Sequence, residues 1–171
     1  MMKEQINVTE YANQITAALS KGILLNTMTD RFNTMVIGWG HLGRLWNKMT
    51  FVVYVRQSRF TKEQLEKNGS FTISCFLDQP DQKIFKICGT QSGRDIDKVK
   101  EAGLTLEEAA VNGVPGIKEY PLTIECKVLY SQDQVLEKIP KDSRDRFYSG
   151  EERTDFHTMY VGEIVDSYII R

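Results

Sequence analysis

The sequence of 171 residues predicts one α+β domain, mostly β, with an antiparallel sheet or barrel and helices inserted between strands. Three observations carry this reading. Short β-branched and aromatic runs recur along the whole chain, and the helical stretches between them lack the regular alternation a parallel sheet needs. No internal repeat and no Pro/Gly/Ser-rich linker divides the chain, so residues 1–171 read as a single domain. A chain of this size buries roughly 70% of its unfolded surface.

Taken in order, Thr9 can cap a first helix whose apolar face is Tyr11, Ile15, Ala18 and Leu19, and Gly22 stops it. Ile23-Leu24-Leu25 is a compact apolar strand. The polar turn Thr29-Asp30-Arg31 leads to a second strand over 33–39. Phe51-Val52-Val53-Tyr54-Val55 has the composition of a fully buried strand, and Phe71-Thr72-Ile73-Ser74-Cys75-Phe76 alternates as a half-buried one does. Helices are expected over 62–67, over 81–88 ended by Gly89, and over 95–102 capped by Asp95 and ended by Gly103. Strands return over 122–130 and 159–169, the latter interrupted at Gly162-Glu163. The charge-dense stretch 137–155 reads as a solvated helix or loop.

Composition narrows the function classes. The 22 basic and 23 acidic side chains leave a net charge of −1, so no global field recruits nucleic acid or an anionic membrane. A local basic pocket for a small anion is compatible with this balance. No apolar run approaches the ~20 residues of a membrane helix, and the first residues lack the apolar core of a signal peptide, so a cytoplasmic location is expected. The 3 cysteines, Cys75, Cys88 and Cys126, are widely spaced in apolar surroundings. That pattern fits buried reduced thiols, not a disulfide framework or a metal site.

Gly38-Trp39-Gly40-His41-Leu42-Gly43 matches the dinucleotide-binding pattern GxGxxG letter for letter. A dinucleotide fold needs a helix to start there, within a crossover of at least ~10–12 residues. Only 44–50 separate this run from the next strand, so it reads as a glycine-rich strand end or hairpin.

The better anion candidate is Val55-Arg56-Gln57-Ser58-Arg59-Phe60-Thr61-Lys62, where a strand ends and a helix begins. Thr61 and Gln64 have capping-box spacing, and Phe60 and Leu65 occupy hydrophobic-staple positions. Backbone N–H groups, the hydroxyls of Ser58 and Thr61 and the guanidiniums of Arg56 and Arg59 would converge as a phosphate dianion requires. An ordinary helix cap with solvated arginines fits the same letters. A second cluster, 88–98, places Gly89 and Gly93 in a tight loop with donors Ser92, Arg94 and Lys98; a plain helix-to-helix turn fits it equally. His41 and His157 are the only histidines and show no paired-ligand spacing. Both read as packed residues. His157 carries the second reading of a proton-coupled neighbour of a cofactor.

Four segments in order resemble the flavin reductase-like family of FMN-binding split barrels, which includes the flavoredoxins. They are Asn33-Thr34-Met35-Val36-Ile37-Gly38-Trp39-Gly40, Val55-Arg56-Gln57-Ser58-Arg59-Phe60-Thr61, Cys88-Gly89-Thr90-Gln91-Ser92-Gly93-Arg94-Asp95-Ile96-Asp97-Lys98 and Tyr160-Val161-Gly162-Glu163-Ile164. Gln57 stands where the family favours Pro, and Phe60 where it favours Tyr. The resemblance implies a homodimeric split β-barrel with FMN near the subunit interface. By position, Asn33, Thr34 and Met35 would contact the ring and ribityl chain, with Trp39 walling the ring. Arg56, Ser58, Arg59 and Thr61 would hold the phosphate, and Ser92, Gly93 and Lys98 would close over the cofactor. The implied activity is that of an FMN-binding oxidoreductase in which the flavin, not a side chain, carries the chemistry. The first form is an NAD(P)H-dependent flavin reductase; the alternative is a flavoredoxin-type electron carrier reduced by a protein partner.

Overall fold

The structure, a computed structural model, describes residues 2–171. Asn7, not Thr9, starts the first helical segment: its side chain accepts from the Thr9 amide at 3.2 Å and caps a 3-10 turn, Val8–Tyr11. Helix α1 (Ala12–Lys21) follows, burying Ile15, Ala18 and Leu19 and ending at Gly22 with φ +93°. The strands are β1 (Lys3–Gln5), β2 (Ile23–Met28), β3 (Phe32–Ile37), β4 (Gly40–Leu45), β5 (Lys48–Arg56), β6 (Ser70–Cys75), β7 (Leu106–Glu107), β8 (Gly116–Ile117), β9 (Leu122–Asp133) and β10 (His157–Ile170). The remaining helices are α2 (Phe60–Asn68), α3 (Gln82–Thr90), α4 (Lys98–Ala102) and α5 (Lys141–Phe147).

The main sheet runs β3-β2-β6-β9-β10-β5-β4, with β1 added to β10 and every pairing antiparallel. Its two end strands, β3 and β4, are consecutive in the chain and joined by Gly38 and Trp39 alone. Three peptide steps reach at most about 11 Å. The sheet therefore has to curl until its ends nearly meet, which makes a barrel split along the β3–β4 seam. The last turn of α1 lies behind this seam: a Cβ on Gly38 would sit 3.5 Å from the Leu19 carbonyl oxygen.

The Gly38–Gly43 run spans the link and the start of β4, which pairs with β5 in a hairpin, as its spacing predicts. The two-residue turn is Trp46-Asn47, with φ of +49° and +61°. This left-handed pair matches the twist of the strands it joins. Inside the barrel, Leu25, Phe51, Val53, Phe71, Ile73, Leu122 and Ile124 are fully buried, and Leu24 is buried on the opposite face of β2. The Gly162 interruption is a register shift within one continuous β10, where a Cβ would meet the Phe71 ring at 2.5 Å.

Two expected helix boundaries are corrected. Gly89 does not end α3, which runs on to Thr90; the glycine instead gives the helix a close approach to Val36 on β3. Asp97, not Asp95, caps α4, accepting from the Val99 and Lys100 amides, while 92–96 forms a separate turn on the Ser92 carbonyl. The three cysteines are free and buried, and burial pushes the Cys75 and Cys88 thiols up to about 12 and about 11. Among the described residues, no helix is long and apolar enough to cross a membrane.

One buried charge was not anticipated. The Glu125 carboxylate on β9 is fully buried and accepts from the amides of Ala110, Val111 and Asn112 and from the Tyr168 hydroxyl. Four donors on one carboxylate pin the β7–β8 connection to the sheet.

Candidate functional site

Strand β5 ends at Arg56, the chain turns through Gln57 and Ser58, and α2 starts at Phe60 with Arg59 as its N-cap residue. The expected capping box does not form. Thr61 is buried and its hydroxyl accepts from the Asn33 side-chain amide on β3 at 2.9 Å. Gln64 accepts from the Thr27 hydroxyl and donates to the Arg31 carbonyl and the Thr29 hydroxyl. The β2–β3 hairpin lies over the first turn of α2 and takes both polar groups for tertiary contacts.

Two adjoining hollows, about 170 and 120 Å³, lie along this junction and share Met35 and Arg59. Trp39, Tyr54, Arg56 and His157 border the first; Asn33, Ser58, Thr61, Ser92, Gly93 and Lys98 border the second. Ten of the eleven residues proposed from the sequence therefore face one groove. Thr34 does not: strand alternation turns its side chain away from Asn33 and Met35, and it is fully buried. Each hollow is smaller than the roughly 300–1,000 Å³ of a complete small-molecule pocket, so neither alone holds a ligand of that size.

The polar groups divide into those already engaged and those without a partner. The Arg56 guanidinium donates to the carbonyls of Asp155 and Phe147 at 3.1 and 3.2 Å and stacks over Tyr148. Ser58 gives both its amide and its hydroxyl to the Asp155 carboxylate, at 2.7 and 2.8 Å. The Lys98 ammonium is buried and donates to the carbonyls of Thr34 and Cys88 at 2.8 and 3.0 Å, tying β3 to α3. Burial, helped by the charge of Arg59, pulls the Lys98 pKa down to about 8. Arg94 braces the turn from outside, bonding the Ser58 carbonyl and pairing with Glu63.

By contrast, the Arg59 guanidinium has no hydrogen-bond or ion-pair partner among the described residues. The Asn33 side-chain oxygen is buried and also unpartnered. Gly93 presses directly on it: a Cβ there would lie 2.1 Å from that oxygen. At the other end of the groove, His157 sits 4.7 Å from the Trp39 ring, and its Nδ1 meets the Tyr148 hydroxyl at 2.8 Å. Burial, with Arg56 nearby, pushes the imidazole down to about 4, so it is neutral at neutral pH.

Sequence reasoning missed Phe147, Tyr148 and Asp155, because 137–155 reads as a solvated charged stretch. The one available signal was Phe147-Tyr148, two aromatic residues inside it.

The flavin reductase-like domain, as a family profile, matches residues 19–171. The chain belongs to the flavin reductase-like family. Within solved structures, this flavin reductase-like chain is similar to flavoredoxin from Methanosarcina acetivorans, at 24% identity and TM-score 0.64 over 88% of this chain and 69% of that one. It is also similar to an FMN-binding domain of a flavin reductases-like enzyme from Shewanella baltica, at 16% identity and TM-score 0.68 over 98% and 77%. That structural likeness establishes the split-barrel fold. A protein of Archaeoglobus fulgidus is 25% identical over 165 residues, covering 96% of this flavin reductase-like chain and 78% of its own length.

Proposed function

We propose that this protein binds FMN along the groove and works as an NAD(P)H-dependent flavin reductase. The observation that carries this is an unpartnered guanidinium, Arg59, at the start of α2, shared by the two hollows of the groove. A phosphorylated ligand satisfies it: the phosphate answers the cation.

Bound flavin supplies the hydride and electron chemistry. The chain's own residues bind and orient. Arg59 meets the phosphate at the start of α2, where the helix dipole adds to the attraction. Lys98 fixes the Thr34 carbonyl and so the pitch of β3, which sets where Asn33 and Met35 stand. Trp39 and the neutral His157 wall the far end and keep water from it. No side chain in the groove is required to exchange a proton.

We also propose that two copies complete the site. The groove is open, and the β4–β5 hairpin beside it exposes Leu45 and Trp46, with Trp39 exposed at the seam. Light scattering of flavin-loaded protein should give the mass of a dimer.

The deciding assay is steady-state oxidation of NADH and NADPH with and without added free FMN. The reductase reading expects turnover that rises with free flavin. Flavin-loaded protein that turns over neither nicotinamide, yet is reduced by a redox protein, would replace it with the electron-carrier reading.

A further inference from the structure

Asp155 ends a strap over 134–155 that packs beside the groove, with Phe147 against Trp39 and Asp155 against Ser58. The strap is fastened independently of its carboxylate: Arg56 holds the Phe147 and Asp155 carbonyls, the Gln57 amide donates to the Phe156 carbonyl, and Tyr148 bonds Gln134 and His157. The carboxylate itself takes both donors of Ser58 and lies 3.9 Å from Arg56 Nη1. These groups are the donor set that a phosphate at this turn would use. A serine hydroxyl has one proton, and here it points at Asp155. A phosphate dianion arriving at Ser58 therefore meets lone pairs and a like charge within hydrogen-bonding range.

We propose that Asp155 is a specificity-determining residue of the groove: a tethered anion that competes with the ligand phosphate for Ser58, and so sets the preference for FMN over riboflavin. The inference rests on the flavin reading given above. On binding FMN, the partly exposed carboxylate swings away while the strap stays fastened by its backbone bonds. Riboflavin leaves the Asp155–Ser58 contact intact.

The test is the dissociation constants of FMN and riboflavin, read by flavin fluorescence quenching, for wild type, Asp155→Ala, Asp155→Asn, Ser58→Ala and the Ser58→Ala/Asp155→Ala double variant. Removing a like charge from the phosphate position is expected to tighten FMN about tenfold in Asp155→Ala, with riboflavin changed less than about twofold. The near-isosteric Asp155→Asn should shift in the same direction, and its riboflavin affinity reports an intact fold. In the Ser58→Ala background the gain should be smaller than in wild type, because the contested hydroxyl is gone while the Ser58 amide still donates. FMN binding that is unchanged or weaker in both Asp155 variants, with riboflavin binding retained, overturns the inference and leaves Asp155 a brace of the turn. An equal gain for both flavins overturns it too, since the phosphate is then elsewhere. Failure of wild type to bind either flavin removes the flavin reading itself, and the inference with it.

Discussion

Asn33 on β3 donates its side-chain amide to the Thr61 hydroxyl on α2 at 2.9 Å, and its own amide oxygen stays buried without a donor. One side chain thus locks the sheet edge to the helix while its oxygen packs against the Gly93 backbone of the turn that lines the groove. Replacing it with Leu, similar in size, breaks that lock. Flavin affinity should fall by about 1–3 kcal/mol for FMN and riboflavin alike, as measured by fluorescence titration.

The Arg59 guanidinium is expected to act on the phosphate alone. Arg59→Ala should weaken FMN binding by about 1.5–3 kcal/mol and leave riboflavin nearly unchanged. Equal losses for the two ligands would move the phosphate away from this turn.

Gly93 has no room for a side chain. Gly93→Ala drives a methyl group toward Asn33 Oδ1 and, at 3.2 Å, toward the Phe60 ring. The 92–96 turn then has to shift, and a loss of about 1–3 kcal/mol in thermal or denaturant stability is expected, together with weaker flavin binding.

Glu125→Ala removes the acceptor of three part-buried loop amides and of the buried Tyr168 hydroxyl. Urea unfolding should show a loss of at least about 3 kcal/mol. Glu125→Gln, which keeps acceptor capacity on one atom, should lose less.

His157 supplies a pH signature. Its folded-state value near 4 lies below the ordinary 6.5, so the unfolded chain binds a proton that the native chain refuses. Stability from this group is intact above about pH 6.5, falls as pH drops, and levels off below about 4, with a total on the order of 2–3 kcal/mol. His157→Gln should flatten that part of the stability profile. The flavin midpoint potential, followed against pH from 5.5 to 8, should run parallel in wild type and variant, because the imidazole stays neutral throughout. A break in the wild-type slope near pH 6.5 that vanishes in the variant would restore the proton-coupled role.

Much of the fold could be read from local chemistry. The β-branched run 51–55, the stop at Gly22 and the 38–43 hairpin are each decided within a few residues. The boundaries that moved did so where two local solutions compete and a distant contact chooses. Asp95 and Asp97 can each cap α4, and Thr61 and Gln64 can cap α2 or reach β2, β3 and the turn between them. The 55–62 and 88–98 segments were each legible as donor clusters, while their convergence on one groove with Asn33, Met35 and Trp39 was implied by the family resemblance. Asp155 was not legible: its meaning comes from β10 pairing with β5, which sets His157 opposite Arg56 and brings the preceding strap over Ser58. Glu125 reads as an ordinary charge on a mixed strand; three of its donors come from a loop 13–15 residues away and the fourth from β10.

The two-residue link between the end strands of the sheet works as a buckle of fixed length. Gly38 and Trp39 hold the two lips of the barrel at the spacing the groove now has, so the width of the cleft is written in a residue count and not in any one side chain. Adding a glycine beside Gly38 lets the lips part by up to roughly 3.5 Å, with Trp39 moving along with the link and every groove side chain kept in kind. Deleting one forces them together. Length variation at this single position is therefore a route by which the same wall of side chains can be refitted to bulkier or slimmer aromatic ligands.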